Sequence, residues 1–172
     1  MNYIATLAFT FVTAVAADAD AQFATVSLAK DARTLEYQVA NGRTSQAPMV
    51  KGQVEFASPK IGPAGAAIGW LAEFPGSNTS YPIPLQLVVM DQNNRIHTFS
   101  GPQAIFSWCF SEGSSAVTFR QAALHGPTAQ VFEMRRITDG KLLKRFALPW
   151  QGPDAEPSDA KVLKWARCAL DE

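Results

Sequence analysis

From Phe23 to Leu148 the chain is paced by short apolar runs, each closed within a few residues by Gly, Pro, Asp or Asn. Such spacing leaves little room for anything but β-strands, because globular helices need longer stretches free of these turn formers. The expected strands are Phe23–Leu28, Thr34–Val39, Gln53–Ser58, Ala66–Phe74, Leu85–Met90, Arg95–Ser100, Ala104–Phe110, Ala116–Ala123, Gln130–Ile137 and Leu142–Leu148. The turns between them read "KDAR", "GPAG", "DQNN", "SEGS" and "TDG". Asp139-Gly140 is a strong hairpin signal, since that dipeptide tolerates the positive φ angles of tight turns. The fold class is therefore all-β, built from antiparallel meanders.

The central runs are apolar on both faces. Ile68, Trp70, Ala72 and Phe74 fall on one side of their strand, and Ala67, Gly69 and Leu71 on the other. Leu85, Leu87 and Val89 likewise oppose Val88 and Met90. A sheet with one wet face would alternate apolar with polar. These sheets are expected to be sandwiched in a stack of layers.

An internal repeat refines this. "LQLVVMDQNNRIHTF" (Leu85–Phe99) aligns without gaps on "FEMRRITDGKLLKRF" (Phe132–Phe146), each a strand, a polar turn and a strand with a closing Phe. Upstream, "VEFASPKIGPAGAAIGWLAEF" and "FSWCFSEGSSAVTFRQA" match more loosely. Each unit is a four-stranded antiparallel meander close to propeller-blade length. The units resemble the β-propeller repeats of periplasmic TolB-type proteins, whose pattern has a Ser-Pro-Asp-Gly-like turn before one strand and Asp-x-x-x-Gly before another. The chain also resembles small exported bacterial proteins of unknown function that share the segment here running from Ile68 to Leu85. The resemblance covers roughly residues 53–148 and implies two propeller-like blades preceded by an amino-terminal β pair. A closed propeller needs at least four blades. Either the chain is an open partial propeller, its outer layer covered by the amino-terminal strands, the carboxy-terminal segment or a partner, or two chains complete one another as a homodimer.

Residues 4–16, "IATLAFTFVTAVA", are an unbroken apolar run too short to span a bilayer and suited to a secretory leader. Ala-x-Ala sites end at Ala16 and Ala21. The expected division is a signal peptide over 1–21 and one domain over 22–172, which places the mature protein in the periplasm or outside the cell. The alternative is a buried first element of the fold. Cys109 and Cys168 then form an even pair, read as a disulfide in an exported protein or else as two buried thiols. Toward the carboxy terminus, "PWQGPDAEP" reads as a linker. Pro157-Ser158-Asp159 then starts an expected helix over 153–172, which would set Val162, Trp165, Ala166 and Ala169 on one face.

Composition narrows function. Lys+Arg and Asp+Glu are both 15, so no basic field exists to attract nucleic acid or an anionic membrane. The Gly-x-Ser-x-Gly, Walker, dinucleotide and His-Glu-x-x-His signatures are absent, and two isolated histidines give no metal spacing. Connections in a meander alternate between the two ends of a sheet. "GPAG", "DQNN", "SEGS" and "TDG" fall at one end, while "PGSNTSYPI", "SGPQ", "LHGPT" and "PWQGP" fall at the other. Tyr81, held between Ser80 and Pro82, is thereby gathered with His125 and Trp150, and Glu73 ends the strand entering the Tyr81 loop. Proline restricts its own φ and biases the residue before it, so this loop has little entropy to lose on binding. Glu73, Tyr81, His125 and Trp150 are the expected ligand-binding residues of a non-catalytic module for a protein or cell-envelope ligand, needing no cofactor. The alternatives are a small envelope hydrolase using Glu73 and His125, or a rim where Tyr81 and Trp150 merely cap the sheets. Glu73 is expected either at the mouth of that rim or in an ion pair with an arginine such as Arg120. His97 is expected to face solvent.

Overall fold

The strand Ala67–Phe74 decides the architecture, because its two faces pack on two different sheets. The computed structural model describes residues 22–76, 79–150 and 161–170; the expected leader and the Pro157-Ser158-Asp159 helix start lie outside them. The fold is all-β, with three antiparallel sheets. The first sheet holds β1 (Phe23–Leu28), β2 (Leu35–Val39) and β3 (Thr44–Gln46) in that order. The second is a meander of β4 (Glu55–Ile61), β5 (Ala67–Phe74), β6 (Ile83–Asp91) and β7 (Ile96–Ser100). The third repeats that course with β8 (Ala104–Ser111), β9 (Ala116–Ala122), β10 (Gln130–Arg136) and β11 (Leu142–Leu148). The two aligned sequence segments are the third and fourth strands of their respective sheets.

Two strand expectations change. The amino-terminal pair is a three-stranded sheet, because Asn41-Gly42 turns the chain back: Gly42 has φ +85°, and Asn41 Oδ1 accepts the N–H of Arg43 at 3.0 Å. The strand expected to stop at Ser58 runs on to Ile61. It passes Pro59 through an irregularity between Ala57 and Lys60, where Ser58 takes φ +46°. This is an edge strand, the position at which a sheet tolerates proline.

The second sheet is the middle layer. Ile68, Trp70, Ala72, Val88 and Met90 meet Phe23, Leu35, Tyr37 and Val39 of the first sheet. Ala67, Leu71, Leu87 and Val89 meet Ile105, Trp108, Val117 and Phe119 of the third. Burial of each large side chain contributes about 1.5–3 kcal/mol, so these two seams hold most of the stabilising area. The second seam also carries polar bonds: Trp108 Nε1 donates to the Ser58 carbonyl at 2.9 Å, and Lys60 Nζ donates to the Trp108 carbonyl at 2.7 Å. The first sheet turns Glu36, Thr44 and Gln46 outward, so that end of the stack closes with a polar face.

The other end is closed by the carboxy-terminal segment. Val162, Ala166 and Ala169 are buried on the outer face of the third sheet against Phe132 and Leu148, with Trp165 half-buried beside them. The expected helix is a 3-10 turn over Lys164–Ala169, with Ala166 N–H bonded to the Leu163 carbonyl. Leu163 itself is extended (φ −61°, ψ 141°) and exposed, so the helical course starts only after it. Cys109 and Cys168 form a disulfide with Cα atoms 5.9 Å apart, and Ser107 Oγ donates to the Ala169 carbonyl. Each of the two meanders thus has its far face covered by another segment of the chain.

Candidate functional site

The meanders sort their connections to two rims, and the second and third sheets align rim to rim. At one rim, Gly62 abuts Ser114 closely enough that a Cβ on the glycine would lie 2.6 Å from the serine Oγ. At the other, Gly101, in the link between the two sheets, lies directly against the Gln121 amide at the end of β9. Residues 75–76, 79–82, 101–103, 123–129 and 149–150 therefore share one rim, which carries Tyr81, His125 and Trp150.

The two rims differ chemically. At the turn rim, charges serve the turns. Asp91 Oδ1 accepts the N–H groups of Asn93 (2.9 Å) and Arg95 (3.0 Å), and Asp139 Oδ1 accepts that of Lys141 (3.0 Å). Burial pushes the Asp91 carboxyl up, but the hydrogen bonds from Arg95, the His97 ring and Asn93 outweigh it, and the group lies below its ordinary range. Asp139 is lowered chiefly by the Lys141 N–H. His97 is half-buried, with Nε2 3.4 Å from Asp91 Oδ2, rather than facing solvent. The loop rim, by contrast, has no Asp, Glu, Lys or Arg at residues 75–76, 79–82, 101–103, 123–129 or 149–150; the charges near it, Lys51, Glu55 and Glu73, belong to the chain entering β4, to β4 and to β5.

Tyr81 is 50 % exposed and Trp150 49 %, and His125 is also exposed. The Tyr81 loop is fastened by Thr79, whose Oγ1 donates to the Tyr81 carbonyl at 2.7 Å. Pro82 follows, and Pro84 pairs with Glu73 at a bulge in β6. Gly126 in the His125 loop takes φ +95°, and the Thr128 N–H bonds back to its carbonyl at 2.9 Å. Both loops are tied to themselves.

Glu73 is half-buried at the end of β5 leading into this rim, and its cross-strand partner is Glu55, not an arginine. Burial, and then the Glu55 carboxylate, push the Glu73 carboxyl above the usual range. The expected pairing with Arg120 does not form. Arg120 lies in the third sheet, donating from Nε to Ser107 Oγ (3.1 Å) and from Nη1 to Gln130 Oε1 (3.3 Å), with its guanidinium 5.8 Å from the Phe106 ring centroid. Two other carboxylates are elsewhere. Glu133 is buried under Arg135 (2.7 Å) and Arg145 (3.6 Å), and Glu112 is at the turn rim 3.7 Å from Lys144. Among the described residues, no group of three or more His, Cys, Asp or Glu side chains could hold a metal ion, and no helix is long and apolar enough to cross a membrane.

Sequence reasoning missed the two glutamines beneath this rim. Gln121 is 1 % exposed with neither amide atom bonded, and Gln103 has a buried, unbonded Oε1. The available signal was Gln121 itself, a polar residue at a position whose neighbours two apart, Val117 and Phe119, are core.

No protein-family model matches the chain, and no curated protein matches it.

Proposed function

We propose that this chain is an exported, non-catalytic binding module of propeller-like layers, which holds a protein or cell-envelope ligand at its loop rim. The observation that carries this reading is the contrast between the rims. One uses its charges to fix turns, whereas the other presents exposed Tyr81 and His125 on self-tied, uncharged loops, with exposed Trp150 just past the end of β11. Rigid aromatic side chains lose little conformational entropy on binding. The disulfide fits an oxidising compartment.

The test is co-sedimentation of the purified mature domain with isolated cell-envelope fragments. Wild type is expected in the pellet, and Tyr81→Ala and Trp150→Ala in the supernatant with unchanged melting temperatures. Equal pelleting of all three, or a large stability loss in either variant, would overturn the reading. A second reading, hydrolysis through Glu73 and His125, draws on the raised Glu73 pKa, a property of general acids. Turnover of ester, glycan or peptide substrates that disappears in both Glu73→Gln and His125→Ala would establish it in place of the first.

A further inference from the structure

Buried polar groups without partners are costly, and native chains keep few of them. Apart from Gln103 and Gln121, the unbonded buried side-chain atoms among the described residues are Trp70 Nε1, between the first two sheets, and Ser114 Oγ, at the turn rim. The other three all belong to Gln103 and Gln121 at the loop rim. These two side chains sit where the link from β7 to β8 crosses between the second and third sheets. Gln121 fills the space that a side chain at residue 101 would need, so only glycine leaves room for its amide. The cover over that amide is one turn thick, because Gly101 and Pro102 are themselves exposed.

The chemistry around this spot is narrow. The rim offers aromatic faces at Tyr81 and Trp150, hydroxyl and amide groups at Thr79, Gln103 and Gln121, the His125 ring, and no Asp, Glu, Lys or Arg in the described segments that carry them. A planar primary amide donates from one edge and accepts at the other, which matches two adjacent hydroxyls. An apolar C–H face on the same molecule would lie against an exposed aromatic ring. An uncharged ligand carrying both is a neutral oligosaccharide. Resting on the loop rim as the binding surface, we infer that this rim binds neutral oligosaccharides. Tyr81 and Trp150 are the stacking faces, and the Gln121 and Gln103 amides receive hydroxyls once the Gly101-Pro102 turn is displaced.

The test uses the mature domain and three probes: cellotetraose, maltotetraose and chitotetraose. Of the four tryptophans, Trp70 and Trp108 are fully buried and Trp165 is half-buried within the disulfide-held cap, so Trp150 reports the rim. At least one tetrasaccharide is expected to shift the fluorescence saturably, with half-saturation at or below about 1 mM, and to change amide exchange at 101–103. Tyr81→Ala should weaken binding about tenfold or more. Gln121→Leu separates a binding amide from a structural one. It removes unbonded polar atoms at similar volume, so the fold should hold or gain stability while sugar affinity falls about tenfold. Unchanged affinity in Gln121→Leu, or no response to any tetrasaccharide, overturns the inference. A neutral peptide that perturbs the rim in a Tyr81-dependent way where sugars do not would leave the binding surface standing and remove only its ligand class. If neither kind of probe perturbs the rim, both readings fall.

Discussion

Glu73 shows how burial and then a single register pair push a carboxyl the same way. An arginine opposite it would favour the charged carboxylate, but β4 places Glu55 there instead. With its folded pKa raised, the native state holds the Glu73 proton more tightly than the unfolded chain does. Stability therefore falls as pH climbs from the ordinary glutamate range, about 4.3, toward the raised value, and the penalty stays constant above it. Glu73→Gln should accordingly raise the urea midpoint at pH 7 and make no difference near pH 4. A lower midpoint at pH 7 would mean that the carboxylate has a cationic partner after all. Arg120 is not that partner, because aligned repeats place equivalent positions in separate sheets, and equivalence does not bring residues together.

At the scale of strands, close approach between layers rests on residues of unequal size. A Cβ on Gly69 would lie 2.6 Å from the Trp108 ring and 3.0 Å from the Val88 carbonyl, and that ring is wholly buried. Gly69→Ala should cost about 1–3 kcal/mol through forced displacement of the seam, read as a lower chemical midpoint and altered tryptophan emission. The disulfide acts on another seam. Cys168→Ser should cost about 4 kcal/mol by the chain-entropy estimate for a 59-residue separation, and speed amide exchange across 162–170. Most strands were legible in the sequence, since runs such as Ala67–Phe74 carry two apolar faces whose sides match the two observed seams. β3 was not expected: Thr44–Gln46 is too short and polar to show as a run, and only the Asn41-Gly42 dipeptide before it could have marked the turn. The 3-10 course at Lys164 was hidden because Val162, Ala166 and Ala169 fit α-helical spacing equally well. The rim membership of Tyr81, His125 and Trp150 could be counted from strand parity alone. The unbonded amides could not, because they depend on side-chain packing between sheets.

For the molecule as a whole, the middle sheet shares each of its faces with a neighbour, and the third sheet adds only the smaller cluster beneath its carboxy-terminal cap. Trp70 lies in the first seam and Trp108 in the second, both fully buried. Tryptophan-to-phenylalanine variants that keep one or the other should report the same denaturation midpoint. Separate midpoints would show that a layer melts alone, against the shared-face arrangement. The Cys109–Cys168 crosslink also makes the last third of the chain a covalent ring that holds β9, β10, β11 and the end of β8. Tension applied at the two chain ends would bypass that ring and reach β8 directly. Stretched to its limit in an optical trap, the oxidised chain would come up about 200 Å shorter than the reduced one, at some 3.3–3.6 Å for each of the 59 sequestered residues.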